Sequence, residues 1–486
     1  MRRLLFADQL GPHYLPDPGQ QVLLVESKAV LRRRPVHRQK AHLVLSALRH
    51  RAAELGDQAL FLQTDTFADA LEQVDGPLEV VQPTSRAADG YVRRRGLTVL
   101  PDLGFATRAE DFAAFATGSK RLLQEDFYRA QRRRFDVLMD GDEPTGGRWN
   151  FDHDNREPPP KEGLDVEGPW WPVEDAVDVQ VREDLDRWQR DGDVHFLGED
   201  GPRWSAATRE EALQAFTHFV RTRLASFGPH EDAMLARDPW MAHSALSPAQ
   251  NLGLLHPLEL VRGAEDAYRA GDVPLASAEG YIRQILGWRE YIWSMYWYTP
   301  DDYRHRSSLN AREPLPAWMW ELDAEAVEAR CLSSVLRDVR ERGWVHHIPR
   351  LMVLGNYALQ RGWDPEELSR WFQQAFVDGY EWVMTPNVVG MSQHADGGVL
   401  ATKPYAAGGA YLNRMSDYCR PCAYSPTVRV GEKACPFTAG YWAFLDRNAE
   451  RLRGNHRMAQ PLAGLARLAD REAVVDQERR RGSAPP

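Results

Sequence analysis

Three of the chain's four cysteines fall within the single stretch RMSDYCRPCAYSPTVRVGEKACPF, Arg414–Phe437. Cys419 and Cys422 form C-x2-C, Cys435 follows after twelve residues, and Cys331 lies far upstream. Four thiolates can hold either a tetrahedral zinc or an iron–sulfur cluster. A zinc ribbon usually offers two C-x2-C pairs, whereas the 1+2+1 spacing here suits a cluster pinned between a helix and a loop. Proline after a ligand, as in Cys435-Pro436, is also frequent at clusters. The bland alternative is four unconnected buried thiols. A second candidate is the adjacent pair His346-His347, because histidine titrates where proton transfer at neutral pH needs it. Adjacent histidines are more often packing or capping residues.

The elements that must position these groups fall into two classes. RRLLFAD, QQVLLVES, QALFLQT and PLEVVQP read as short strands, and KAHLVLSALRHRAAEL has helical periodicity. The alternation predicts an α/β domain with a parallel sheet over residues 1–125. No GxGxxG or P-loop spacing occurs there. Residues 126–200 read as a linker, least regular over 140–170, where Gly, Pro, Asp and Asn dominate. Residues 201–465 are helical in pattern, and the charged tail 466–486 is expected to fray. At 486 residues, with 43% hydrophobic and 27% charged content, two domains are expected.

The formal net charge of −10 argues against wholesale coating of nucleic acid but allows a local basic face. Arg32-Arg33-Arg34 and Arg132-Arg133-Arg134 are the candidate patches, with solvated surface as the plainer reading. No apolar run reaches membrane-spanning length, and the N-terminus lacks a signal-peptide core, so a cytoplasmic protein is expected; a monomer is expected as well. Thiols stay reduced in that compartment, which favours metal binding over disulfides.

Longer strings carry a resemblance. HSALSP (His243–Pro248), GYIRQILGWREY (Gly280–Tyr291), HHIPRLMVLGNYAL (His346–Leu359), DGYEWVMTPNVVGMSQHADGG (Asp378–Gly398) and KPYAAGGAYLNRMSDYC (Lys403–Cys419) follow in the order of the photolyase/cryptochrome family. With the four cysteines, the chain resembles the iron–sulfur bacterial cryptochromes and (6-4) photolyases. The resemblance implies an α/β Rossmann-like N-terminal antenna domain and an all-α C-terminal domain holding FAD. It also implies light-driven repair of (6-4) photoproducts in UV-damaged DNA. A [4Fe-4S] cluster would sit on Cys331, Cys419, Cys422 and Cys435 in a structural role.

Residue by residue, the resemblance places Ser244, Leu246 and Ser247 at the flavin phosphates, where helix-start N–H groups would help. It places the Arg350–Asp378 pair and Asn387 beside the flavin ring, and turns Gln284 and Arg289 toward flavin or lesion. His347 becomes the proton donor to the lesion, with His346 supporting it. Tyr405 lines the lesion pocket, Asp232 stands at its rim and Trp288 is a stacking surface. Trp371 and, further out, Trp320 relay electrons. Phe372 stands where relatives can have tyrosine, so the route is expected to shift toward Tyr380 or Tyr411. Asp8, Gln9 and Glu26 match the region where relatives bind a lumazine antenna (6,7-dimethyl-8-ribityllumazine), but Val30 replaces an acidic contact. Met384 cannot exchange a proton with flavin N5, which favours an anionic radical form. Two rival readings use the same residues: a blue-light photoreceptor cryptochrome without repair, and a cluster-bearing nucleic-acid binder related to primase that needs no flavin.

Overall fold

The computed structural model describes all 486 residues. Five short runs form one wholly parallel sheet: β1 (Arg2–Leu5), β2 (Val22–Ser27), β3 (Ala59–Thr64), β4 (Leu78–Val81) and β5 (Thr98–Leu100), in the order β3-β2-β1-β4-β5. Register places Leu4 between Leu23 and Val80. Because side chains alternate along a strand, the sheet has two different apolar faces. Leu4, Leu23, Val25 and Val80 pack with Ala70 and Val92 on one. Leu5, Val22, Leu24 and Val81 meet Leu43, Ala47 and Leu48 of α1 (Arg38–Leu55) on the other. That second cluster runs on without a break into Leu246, Leu252, Leu255 and Ile285, so the helical part shares a core with the sheet.

Continuity of the core blurs the borders expected from the sequence. Phe105, Phe112 and Phe127 already belong to the helical core, with Trp293, Trp371 and Trp382. The expected border at 125 falls inside α2 (Gln124–Phe135). Within the expected linker, α3 (Ala176–Arg190) starts on a capping box at Asp175 and packs Val181 and Leu185 on Ala41 and Leu45 of α1. The longest stretch of the expected linker without helix or strand is 156–175. The tail does not fray. It forms α9 (Arg471–Arg481), whose Glu478 pairs with the buried Arg361, and Trp318 Nε1 donates to Ser483 O at 2.9 Å. A buried guanidinium needs a counter-charge, and the tail supplies it.

The helices that carry the candidate site are α4 (Ser247–Asn251), α5 (Arg330–Arg342), α6 (Pro365–Ala375), α7 (Gly409–Met415) and α8 (Pro436–Leu452). Three stretches between them, Arg283–Arg289, Pro349–Gly355 and Pro386–Ser392, are π-helical. Such wide turns are rare and concentrate at functional sites. Each coincides with one of the strings that carry the family resemblance. No helix is long and apolar enough to cross a membrane.

Candidate active site

The centre of the site is an ion pair. Arg350, in the second π-helical stretch, donates from Nη1 to Asp378 Oδ1 at 2.8 Å and from Nη2 to Oδ2 at 3.0 Å. Its Nε donates to Val345 O at 2.7 Å, and its guanidinium lies 4.4 Å from the Phe376 ring centre. Asp378 is only 4% exposed. Ser247 Oγ donates to Asp378 Oδ2 at 2.6 Å, and Asn251 Nδ2 to the Asp378 carbonyl at 2.9 Å. Three donors thus converge on the two oxygens of this buried carboxylate.

This geometry changes the expected role of the HSALSP serines. Helix α4 has five residues, Leu246 holds its N-cap position, and no side chain caps it. A helix this short offers little dipole, so any phosphate contact at this turn would rest on side chains rather than on the helix start. Ser247 serves Asp378, and Ser244 Oγ accepts from Leu246 N at 3.4 Å. Asn251 escaped the sequence reading, although its spacing of four from Ser247 puts both on one helix face. It also joins the pair to Arg289, whose Nη1 donates to Asn251 Oδ1 at 2.6 Å. The Arg289 guanidinium lies 4.9 Å from the Phe105 ring and 4.7 Å from that of Trp382. Gln284, one turn earlier, is half-buried. Asn387 turns its amide back to Val383 O at 2.8 Å.

A cleft of about 340 Å³, part of it open to solvent, runs along Ser244, Ala245 and Leu246 beneath Trp170 and Trp204. Arg223 lies in its wall, buried, with Nε donating to His243 O at 3.3 Å and its two Nη groups to the carbonyls of Glu167 and Met241. Its partners are all carbonyls, so a full positive charge beside the cleft lacks a contacting anion. Trp344 separates the cleft from the ion pair. Its ring centre is 5.7 Å from that of Trp204, its Nε1 donates to Ser247 Oγ at 3.3 Å, and the Arg350 guanidinium is 5.9 Å from its ring. The donors and aromatic walls fit an anionic, ring-bearing cofactor such as FAD. The enclosed room is only about 10 Å³, far below the ~300–1,000 Å³ usual for ligand sites. A dinucleotide reaching from Ser244 to Arg350 therefore requires Trp344 to yield.

His346 and His347 point in different directions. His346 is buried, stacked on His243 with ring centres 4.1 Å apart, and its Nδ1 has no partner. Burial, with His243, His347 and Arg350 nearby, holds its pKa well below the usual histidine value. His347 is exposed. Tyr405 and Tyr411 are half-buried on the same rim as Asp232, since the 234–236 segment is stitched to 415–417: Met234 N donates to Met415 O at 2.9 Å and Ala236 N to Asp417 Oδ1 at 2.8 Å. Burial pushes both phenols up, with the Asp232 charge adding to it. Trp288 is half-buried against Tyr291, 6.4 Å between ring centres.

Trp371 is fully buried, donates from Nε1 to Met319 O at 2.8 Å, and touches Phe372 and Phe376 at 5.0 and 5.8 Å between ring centres. Phe376 therefore stands between Trp371 and the Arg350 guanidinium, a bridge the sequence reading did not name. Trp320 follows Met319 and is half-buried. Tyr411, on the Asp232 rim, makes no ring contact with Trp371, and Tyr380 lies under Lys40, 5.1 Å from its ammonium.

The proposed antenna residues do not form a pocket for a pigment. Glu26 is 3% exposed and accepts from Arg49 Nε at 2.8 Å, Arg49 Nη2 at 2.7 Å and Gln63 Nε2 at 3.0 Å. Gln9 is buried, donating to the carbonyls of Val81 and Gln82, both at 3.1 Å. Asp8 accepts from Thr84 and keeps only Oδ1 unpartnered. Val30 is 58% exposed. These residues do not fit a lumazine as arranged.

The cysteines do come together. Cys331 opens α5, Cys422 N donates to Cys419 O at 3.3 Å in the turn after α7, and Cys435 is the N-cap residue of α8. All four line one mainly apolar cavity with Leu412, Tyr418 and Phe437, and none is in a disulfide. Burial and the neighbouring thiols push the Cys331 pKa up, and Cys419 to about 12. A bound cation would reverse both shifts. No three of the sulfurs lie within 4.8 Å of one another. Zinc–sulfur bonds of ~2.3 Å would draw four thiolates to about 3.8 Å apart.

Comparison with known proteins agrees with this architecture. The family model described as deoxyribodipyrimidine photo-lyase-related protein matches residues 3–194. A protein of Agrobacterium fabrum (strain C58) named (6-4) photolyase is 38% identical over an alignment of 494 positions that covers 96% of each chain. An uncharacterized mimivirus protein, R855, is 43% identical over 66 residues, 14% of this chain and 54% of its own. The fold is similar to that of a bacterial class III photolyase from Agrobacterium tumefaciens, with a TM-score of 0.58 at 16% identity, covering 99% of this chain and 96% of that one. Full-length identity at this level is decisive: the chain belongs to the photolyase/cryptochrome family.

Proposed function

We propose that the protein is a light-driven DNA repair lyase acting on (6-4) pyrimidine–pyrimidone photoproducts, with FAD as its cofactor. The full-length relative named (6-4) photolyase carries this reading. Reduced FAD supplies, on illumination, the electron that opens such a lesion. The chain's own residues do the rest. Arg223 and Ser244 would hold the diphosphate, the first by charge and the second by its hydroxyl. Arg350, held rigid by Asp378 and Val345 O, keeps a fixed positive charge beside the ring, where preorganised charge is most effective.

A lesion must leave the duplex stack to reach this depth, and the Tyr405–Tyr411 rim offers aromatic surface for it. His347, exposed at the edge of the site, donates a ring proton to the departing hydroxyl oxygen. The imidazoles of His346 and His347 are both held neutral in the resting site, His347 with its pKa lowered to about 4, so its proton must be drawn in with the anionic DNA. His346, buried and stacked on His243, positions rather than donates. The four cysteines would hold a [4Fe-4S] cluster that ties α5 to α8 and to the turn after α7. No repair step requires that cluster to change charge. No antenna pigment is included, because Glu26 and Gln9 are already saturated by the protein.

The test is illumination of the reduced protein with an oligonucleotide carrying one defined (6-4) photoproduct. Normal bases should return in the light and not in the dark. Flavin and cluster bands without any restored base would instead favour the photoreceptor reading.

A further inference from the structure

The turn that carries Asp378 is gripped from the other half of the molecule. Lys40, on α1 of the α/β part, donates from Nζ to Gln373 O at 2.8 Å and to Gly379 O at 2.5 Å, and its ammonium lies 5.1 Å from the Tyr380 ring centre. Gln373 is in the last turn of α6, where backbone carbonyls have no partner within the helix and the dipole favours a cation. No residue of the helix's own C-terminal side caps it: Phe376 follows in extended conformation without a capping bond. Gly379 packs so tightly on the helix end that a Cβ there would lie 3.0 Å from Gln373 O. One ammonium thus bonds the carbonyls on both sides of residues 374–378.

We propose that Lys40 is a positioning residue that fixes the Asp378 turn from the α/β part and sets the charge balance at the flavin ring. The assignment rests on the flavin reading for its second half and on geometry alone for its first. With Arg350, Lys40 makes two cations around one carboxylate, so the region stays positive and favours an anionic reduced ring. Burial lowers the lysine pKa to about 8, and the Asp378 charge opposes that shift.

The experiment compares full-length wild type with Lys40→Met and Lys40→Arg. Amide hydrogen exchange over 376–381 should accelerate at least tenfold in Lys40→Met while the sheet and residues 436–452 stay unchanged. At a fixed applied potential, the ratio of reduced to oxidised flavin should fall about tenfold. Lys40→Arg should restore most of both. Unchanged exchange in Lys40→Met overturns the grip, and faster exchange with an unchanged flavin ratio overturns the role at the cofactor. Should Lys40→Met not fold, Lys40→Gln, which keeps donors without charge, is read by the same two criteria. If wild type retains no flavin, the function proposed above fails, and exchange alone decides whether Lys40 holds the turn.

Discussion

The imidazoles of His243 and His346 lie 4.1 Å apart and 20° from parallel, His346 buried and His243 half-buried. Burial and nearby Arg223 lower the His243 pKa to about 3. Two stacked rings cannot both carry charge in so dry a place. A histidine whose folded pKa lies below its unfolded value of 6.5 gives the unfolded state the proton advantage as pH falls. Stability is therefore lost from about pH 6.5 downward and stops falling near pH 3. His243→Gln should flatten this slope, which is at most about 1.4 kcal/mol per pH unit for one histidine. Urea unfolding at pH 7 and pH 5 checks it, and parallel losses in wild type and variant would contradict it.

The two members of the central ion pair should not be equivalent to their sum. Arg350→Met leaves Asp378 buried with Ser247 and Asn251 but without its counter-charge, and should cost ~3–5 kcal/mol. Arg350→Met with Asp378→Leu should cost less than the single change, because no unpaired charge remains. Denaturant unfolding of wild type, both single variants and the double variant measures the difference. A double variant as unstable as the sum of its parts would rule out pairing as the source.

At the cysteine cavity, Gly409 offers a subtle probe. A Cβ there would lie 2.9 Å from Cys435 Sγ and 2.7 Å from Thr438 Oγ1. Gly409→Ala should lower bound iron and acid-labile sulfide several-fold and destabilise by ~1–3 kcal/mol. Metal analysis should find iron rather than zinc in wild type. Cys419→Ala should yield insoluble or colourless protein, and soluble, active, yellow protein would contradict a structural cluster.

His347→Asn and His346→Asn should separate donation from positioning. The first should cut light-driven repair ~10²–10⁴-fold, the range general acid catalysis contributes, with flavin content unchanged. The second should also lower flavin retention, because it breaks the stack on His243. Repair yield per photon, set against flavin absorbance, reads both.

The tail should prove integral to the fold. Truncation before Arg471 removes Glu478 and leaves Arg361, 9% exposed, without its carboxylate. A loss of ~3–5 kcal/mol is expected, and Glu478→Gln should reproduce most of it. A truncated chain as stable as the whole would show that water reaches Arg361 instead.

Much of this molecule is written locally. Apolar runs of four to six residues between turn-forming residues mark four of the five strands, and 3.6-residue periodicity marks α1, because both signals repeat within a few residues. The strings around Arg350, Asp378 and the cysteines are equally legible, since each is contiguous. What the chain could not disclose by itself depends on long-range approach. Ser247 reaches Asp378 across 131 positions and Lys40 reaches Gly379 across 339. The charged tail looks dispensable until Arg361 is seen buried beside it. The π-helical turns leave no periodic trace either, because they arise where helices press together. Local pattern decided which segments would be strand or helix and which residues could do chemistry. Tertiary packing alone decided which of those residues meet, because burial and pairing of charge are properties of the neighbours a side chain finds in space.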